Sequence, residues 1–267
     1  MENSLEAYQP LPEFIKRGTI RKVYSFVPLD PDEEEALSKF RAFATKKRIQ
    51  IPPGVDDQHR MALKFMDSAK RKPKKAFKIM EKYLSWLNTE LPVPINEVSS
   101  MIDQGFMYLL GRDRKFHPIM IISVRKMLDC NIDLNSSLRL NYFLLTWALE
   151  HMMVPGKVET WTIIMDLADV SATQLPIMLL KNMLKKLSIN FMCRLEKSFI
   201  INLPSALNTV YKMLKPFIDE DTKKKIVIQK DGWEPLLRED ISEEVLEEKY
   251  GGARPNITSG FFPPAFY

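Results

Sequence analysis

The sequence predicts an α/β fold, in which a helical N-terminal lobe is followed by a mostly parallel sheet flanked by helices. Three observations support this prediction. Apolar residues recur at helical spacing through the first ninety residues. After Pro92 and Pro94, short apolar runs alternate with helical ones, an order typical of βαβ units. The runs are continuous rather than alternating, which suits strands covered on both faces.

The N-terminal lobe is predicted over residues 32–91. We expect residues 1–31, which contain several prolines and mixed polarity, to form an extended arm before it. Asp30 precedes a first helix that has acidic residues at its positive end. A second helix carries Leu63 and Phe65, and a third runs from about Pro73 to Trp86 with apolar residues spaced for burial.

The second domain is predicted over residues 92–252. Its strands are expected at 105–110, 118–124, 161–167, 198–202 and 226–228. Helices are expected at about 136–153, through Met183 and Leu187, and at about 205–218. The tail, residues 253–267, ends in GFFPPAFY and is predicted to be irregular.

Composition narrows the class of protein. The 267 residues are 45% hydrophobic and 27% charged, as in ordinary globular proteins, and the net charge of +5 favours anionic surfaces without specifying which. Cys130 and Cys193 form no disulfide framework or metal spacing, which fits a reducing compartment. No signal peptide, N-myristoylation or spanning segment is expected, so we predict a cytoplasmic protein that contacts membranes peripherally.

The sequence offers little support for catalysis. His59, His117 and His151 are far apart and none has a metal-binding spacing such as HExxH. The motifs GxSxG, GxxxxGK[ST] and GxGxxG do not occur. Asp166 and Asp169 follow an apolar strand and suit either an acid/base pair or, more commonly, a turn. We therefore expect no enzyme, no metal and no cofactor.

The densest basic run is KRKPKK, which extends from Lys70 to Lys75. Such a run suits a nucleic acid, a localisation signal, an anionic membrane or simply a solvated helix start. It lacks the interleaved aromatic residues of RNA-binding surfaces, so no nucleic-acid partner is expected.

Six short segments share the order and spacing of a family pattern. They are Leu63–Met66 with Ala76–Trp86, Asp113–Pro118, Ile164–Leu167 ("IMDL"), Phe199–Pro204 (compare "YIINAP"), Leu214–Asp219 (compare "LFKPFLD") and Lys249–Gly252 (compare "KFGG"). This set, which covers about residues 60–252, resembles the CRAL-TRIO lipid-binding domain. Within that family it is most similar to the yeast-type phosphatidylinositol/phosphatidylcholine transfer proteins.

The resemblance implies a lipid pocket above the sheet, gated by a mobile amphipathic helix. The corresponding helix here is about Ser205–Ile218, with one apolar stripe made of Leu207, Val210, Tyr211, Leu214 and Phe217. From periodicity alone such a stripe would be ordinary core. Residues expected to face the pocket from a strand are Trp161, Ile163 and Met165.

The resemblance also implies which residues hold the lipid head group. A threonine and a lysine three residues later hold the inositol phosphate in the family, and they match Thr222 and Lys225. A lysine supplies charge-assisted hydrogen bonds to phosphate. The alternative is that Thr222 caps a turn and Lys225 is solvated. Lys223 and Lys224, together with Lys70 and Arg71, are expected to contact anionic head groups of the membrane.

Some positions depart from the family pattern. Cys193 replaces a glutamate, although the following Arg194 is retained, and Asp67 falls where an arginine is usual. Trp161 and Ile163 replace the serine and threonine that hold the choline phosphate. A buried phosphate would lack those donors, so phosphatidylcholine is not the expected ligand.

The expected function is therefore that of a monomeric carrier. It would hold one phospholipid, most readily phosphatidylinositol, in the gated pocket and exchange it at anionic membranes. Each buried methylene contributes ~0.8 kcal/mol, so two acyl chains would hold the lipid firmly. Two alternatives remain: a carrier of a non-phospholipid hydrophobe such as a tocopherol, retinoid or sterol, and a recruitment module that senses lipid without moving it.

Overall fold

The structure is a computed structural model that describes residues 2–203 and 212–265. Its helices are α1 Glu2–Ala7, α2 Pro12–Ile15, α3 Pro31–Lys47, α4 Met61–Ser68, α5 Pro73–Glu90, α6 Ser99–Asp103, α7 Val124–Asp129, α8 Leu134–His151, α9 Ile177–Asn190, α10 Glu220–Lys223 and α11 Glu234–Asp240. Its strands are β1 Lys16–Arg17, β2 Ile20–Arg21, β3 Met107–Arg112, β4 Pro118–Ser123, β5 Trp161–Asp166, β6 Leu195–Ile201 and β7 Ile226–Ile228.

The N-terminal lobe is built from α3, α4 and α5, as the apolar spacing predicts. Helix α3 begins at a proline, and Asp30 and Glu33 form a capping box that satisfies the free N–H groups of its first turn. The three helices bury a common cluster, in which the rings of Phe40 and Phe77 stack at 4.4 Å. Met192, from the segment before β6, joins this cluster and so connects the lobe to the sheet.

The first 31 residues are not extended throughout, which corrects the prediction of an extended arm. They contain the short helices α1 and α2 and the two-stranded hairpin of β1 and β2. Val23 and Tyr24 are buried, and Lys22 forms an ion pair with Glu196 on β6. The gain from burying these side chains favours a folded segment over an extended one.

The main sheet has five strands in the order β3-β4-β5-β6-β7. Strand β3 pairs antiparallel with β4, and every later pair is parallel. The predicted mostly parallel sheet is therefore confirmed, and its strands fall within a few residues of their predicted positions. The right-handed βαβ rule places intervening helices such as α8 and α9 against this sheet.

The two faces of the sheet have different surroundings, because alternate residues of a strand point to opposite sides. Ile119, Ile164 and Phe199 lie on one face and join a single buried cluster with Leu237 and Leu246 of the C-terminal segment. Residues of opposite parity, among them Trp161, Ile163 and Met165, lie on the other face and border a cavity.

The C-terminal residues pack against strand β3. Residues 253–265 contain no helix or strand beyond an isolated bridge between Glu247 and Arg254. Phe261 is buried nevertheless, with its ring centroid 5.1 Å from that of Tyr108 on β3. Across the described ranges, the structure has no helix that combines the length and apolar character required to cross a membrane.

Candidate functional site

A cavity of about 1180 Å³ lies between the sheet, α9 and the segment that leads into α10. Sites for small molecules usually enclose about 300–1,000 Å³, so this space suits a larger ligand. Its body is apolar, and its charged lining residues come mainly from α4, α5 and the residues around Thr222. The cavity therefore has an apolar interior and a charged end.

Strand β5 supplies the middle of the cavity floor. Trp161, Ile163 and Met165 all line it, because every second residue of a strand faces the same side. The parallel register continues the floor to either side: Ile163 pairs with Met120 on β4, and Met165 pairs with Ile200 on β6. An apolar surface thus crosses three strands.

Helix α9 forms the cavity wall opposite the sheet, and few of its residues are buried although most of them are apolar. Its sequence, IMLLKNMLKKLSIN, is rich in leucine and methionine, yet among its fourteen residues only Asn190 is fully buried. Leu180, Met183 and Leu184 line the cavity and are half-buried. These side chains face the cavity, so a bound apolar molecule would supply the contacts that complete their burial.

The predicted gate helix is described in part. Leu207, Val210 and Tyr211 lie outside the described residues. Residues 212–214 are helical, and the chain then tightens into a 3₁₀ turn at Lys215–Phe217. Leu214 and Phe217 line the cavity, and their role in a gate stays a prediction.

Thr222 and Lys225, the predicted head-group residues, both line the charged end of the cavity. The Lys225 Nζ donates a 2.6 Å hydrogen bond to the Leu195 carbonyl, and burial lowers the pKa of this lysine. The Thr222 hydroxyl donates to Asp219 at 2.5 Å, because Asp219 caps the N-terminus of α10. The two residues are close in space, but whether they bind a head group stays a prediction.

Asp67 lies at the same end of the cavity, at the last turn of α4. Its Oδ2 accepts a 2.9 Å hydrogen bond from the Tyr24 hydroxyl, and its Oδ1 lies 2.9 Å from the Arg71 Nε in an ion pair. Burial raises the pKa of Asp67 to about 6, although the Arg71 charge opposes this. The neighbouring Ser68 hydroxyl lies 3.8 Å from the Cys193 sulfur, and burial raises the pKa of that thiol.

A network of buried charged side chains around Glu159 lies next to the charged end of the cavity. The Glu159 carboxylate accepts hydrogen bonds from the Lys64 Nζ at 3.1 Å and from the Ser25 backbone N–H at 2.7 Å. Burial alone would raise the pKa of Glu159, but the charges of Lys64 and Arg194 and the Ser25 hydrogen bonds lower it to about 2. Arg194 also donates to the Glu159 carbonyl at 2.9 Å, and it lines the cavity. The network fixes the segment that carries Cys193.

The residues predicted to contact a membrane lie in different surroundings. Lys70 and Arg71 line the charged end of the cavity, where Arg71 pairs with Asp67 and Asp32. Lys223 and Lys224 pair with Glu220 and Asp221 of their own helix. Their membrane contact stays a prediction.

Sequence reasoning did not identify the partners of Asp67 and Glu159. Tyr24 comes from the segment predicted to be an extended arm, and Lys64 and Glu159 are separated by 95 residues. No short motif signals pairs of this kind. Within the described residues, no group of histidine, cysteine, aspartate and glutamate is arranged to hold a metal ion.

Comparison with known proteins agrees with this geometry. Patellin-6 of Arabidopsis thaliana is 24% identical over 94% of this chain, which spans 66% of the patellin. The SEC14 cytosolic factor of Kluyveromyces lactis is 36% identical over 22% of this chain, or 20% of its own length. The crystal structure of Sfh5 superimposes with a TM-score of 0.67 at 17% identity, covering 89% of this chain and 95% of that one. That likeness shows a shared fold.

A CRAL-TRIO domain-containing protein of Caenorhabditis elegans is 38% identical over 63 residues, 15% of its length. The chain thus spans less than two thirds of the length of these curated relatives. The sequence model of the CRAL/TRIO domain matches residues 102–252, more than half of the chain. Together with the sheet order and the apolar cavity, this match shows that the chain belongs to the CRAL/TRIO domain family of lipid-binding and transfer proteins.

Proposed function

We propose that this protein encloses one phospholipid, most readily phosphatidylinositol, and exchanges it at membrane surfaces. The observation that carries the proposal is the cavity of about 1180 Å³ with an apolar floor and wall and a charged end. An amphiphile fits this arrangement, because its chains are transferred from water to an apolar surface while its head group keeps polar partners.

The charge at the cavity supports an anionic head group. Among the residues that the structure describes, eight basic and five acidic side chains line the cavity. The basic ones are Arg21, Lys70, Arg71, Lys75, Lys78, Lys82, Arg194 and Lys225. The excess of base favours a phosphodiester over a neutral or cationic group. Lys225 is the best placed of these residues, because it is half-buried beside Leu195, where a charge-assisted hydrogen bond is little screened by water.

Exchange requires a face that meets the membrane, and the rim of the cavity supplies a suitable one. Met178, Met213 and Phe217 are 64%, 55% and 42% exposed, and the Lys181 Nζ lies 4.3 Å from the centre of the Phe217 ring. Lys215 is also exposed here. Exposed apolar side chains surrounded by lysines suit an anionic membrane surface.

A second candidate function is the carriage of a non-phospholipid hydrophobe. Trp161 and Ile163 favour it, because both are apolar side chains on the cavity floor, where the family resemblance implies the hydroxyls that hold a choline phosphate. Such a ligand would leave Lys225 and Thr222 without a phosphate to bind.

The test is to identify the lipid that the protein extracts from vesicles. Purified protein is incubated with mixed vesicles that contain phosphatidylinositol, phosphatidylcholine and a sterol, re-isolated, and its bound lipid is measured by mass spectrometry. We expect phosphatidylinositol, with at least tenfold less bound by a Lys225→Ala variant. Lys230→Ala is the matched control, because Lys230 is an exposed lysine that pairs with Asp231 away from the cavity. A bound sterol, or unchanged inositide binding by Lys225→Ala, would contradict the head-group assignment.

A further inference from the structure

Asp67 is an unexpected residue for a cavity that binds an anionic head group. It lines the charged end, and its side chain is 18% exposed there. Its Oδ2 accepts one hydrogen bond, from Tyr24, and its Oδ1 forms an ion pair with Arg71. An ionised carboxylate offers about four lone-pair sites, so each oxygen can accept a further hydrogen bond from a ligand.

Asp67 and Lys225 both lie near one backbone segment, residues 193–195. The Lys225 Nζ donates to the Leu195 carbonyl, and the Ser68 hydroxyl, one residue after Asp67, lies 3.8 Å from the Cys193 sulfur. Only Arg194 separates Cys193 from Leu195. A cation and a carboxylate therefore both line the cavity near this segment.

We propose that Asp67 selects the head group: it accepts hydrogen bonds from the hydroxyls of an unphosphorylated polyol and excludes head groups that carry a further phosphate monoester. This inference rests on the proposed function, in which Lys225 holds the phosphodiester. A ring hydroxyl can donate to the carboxylate, whereas a phosphate monoester has only acceptors and a like charge to offer it.

The surroundings of Asp67 strengthen the exclusion. Arg71 would attract a phosphate if it were free, but it is held between the carboxylates of Asp67 and Asp32. Arg21, which also lines the cavity, makes two hydrogen bonds to the fully buried carboxylate of Glu33. These two arginines are therefore already paired and would not compensate a second phosphate beside Asp67.

The experiment compares two lipids that differ by one phosphate. The protein is offered vesicles of phosphatidylcholine that contain either phosphatidylinositol or phosphatidylinositol 4-phosphate, and the lipid extracted is measured. We expect the wild-type protein to extract phosphatidylinositol at least tenfold better than its monophosphate. An Asp67→Asn variant, which keeps an acceptor oxygen but loses the charge, should reduce this ratio at least fivefold while it retains extraction of phosphatidylinositol.

Two further variants isolate the cause. Asp67→Asn also removes the ion-pair partner of Arg71, and the freed arginine could itself attract the phosphate. The double variant Asp67→Asn/Arg71→Gln removes both charges. We expect its ratio of extracted phosphatidylinositol to phosphatidylinositol 4-phosphate to stay as low as that of Asp67→Asn. Asp231→Asn, at an aspartate that is 83% exposed, is the matched control and should keep the wild-type ratio. Equal extraction of both lipids by the wild-type protein, or a ratio unchanged in Asp67→Asn, overturns the inference and leaves the proposed function standing. Failure of the wild-type protein to extract either inositide instead contradicts the proposed function.

Discussion

Truncation of a cavity-facing leucine should weaken lipid binding without weakening the fold. Leu184 on α9 is half-buried and borders the cavity, whereas Leu140 on α8 is completely buried. Leu184→Ala removes three carbon atoms that would contact an acyl chain. At ~0.8 kcal/mol per methylene this costs about 2 kcal/mol of lipid binding, or roughly a 30-fold rise in the dissociation constant.

The lipid-free protein should respond differently, because the truncated atoms face the open cavity and lose few protein contacts. We expect Leu184→Ala to lower its free energy of unfolding by less than about 1 kcal/mol, in contrast to about 2–5 kcal/mol for Leu140→Ala. The assay is denaturant unfolding of the stripped and the lipid-loaded forms of both variants. A loss in stripped Leu184→Ala as large as that in Leu140→Ala would refute the reasoning, because it would mean that α9 is already fully packed.

Three further predictions concern stability. Glu159→Gln should lower the free energy of unfolding by about 3–5 kcal/mol at pH 7, because it leaves the buried Lys64 charge without its partner. A loss below about 1 kcal/mol in denaturant unfolding would contradict the ion pair. The raised pKa of Asp67, about 6 against 3.8, means that the folded state binds more protons between those values, so the wild-type protein should lose about 2 kcal/mol of stability from this group as the pH rises from 4 to 6. Asp67→Asn should lack that loss, and parallel pH profiles of the two proteins would contradict it. Gly252→Ala should lower the melting temperature by several degrees, because its Cβ would lie 2.0 Å from the Leu246 carbonyl oxygen; an unchanged melting temperature would show that the turn adjusts freely.

The sheet could be predicted from sequence because each strand is a local apolar run with its own boundaries. The strand at 226–228 was predicted at its observed position, and that at 161–167 differs by one residue at its end. The floor of the cavity then followed from period-two alternation. Helix α9 shows the limit of such reasoning: its apolar face has the same spacing whether it meets protein or an open cavity, so the pattern predicts a helix but not what lies beside it.

The charged end could be predicted only in part. Thr222 and Lys225 lie within one turn of the chain, and a family pattern located them together. The contacts of Asp67 with Tyr24, and of Glu159 with Lys64, join residues that are far apart in sequence. A hydrogen bond between distant segments depends on how they dock, and neither composition nor periodicity reports that. The arm was mispredicted for the same reason, since its fold depends on the partners that bury Val23 and Tyr24.

The CRAL/TRIO domain model covers only part of the residues that line the cavity. The family match covers 102–252, which contains the floor, the wall and Lys225, while Tyr24 and Asp67 come from residues before it. A fragment excised at residue 102 would therefore keep an acyl-chain compartment open to water on one side. Exchange of the first hundred residues between relatives should accordingly transfer the discrimination between head groups that we assign to Asp67, while the phosphodiester contact of Lys225 and the preference for the chains stay with the remainder.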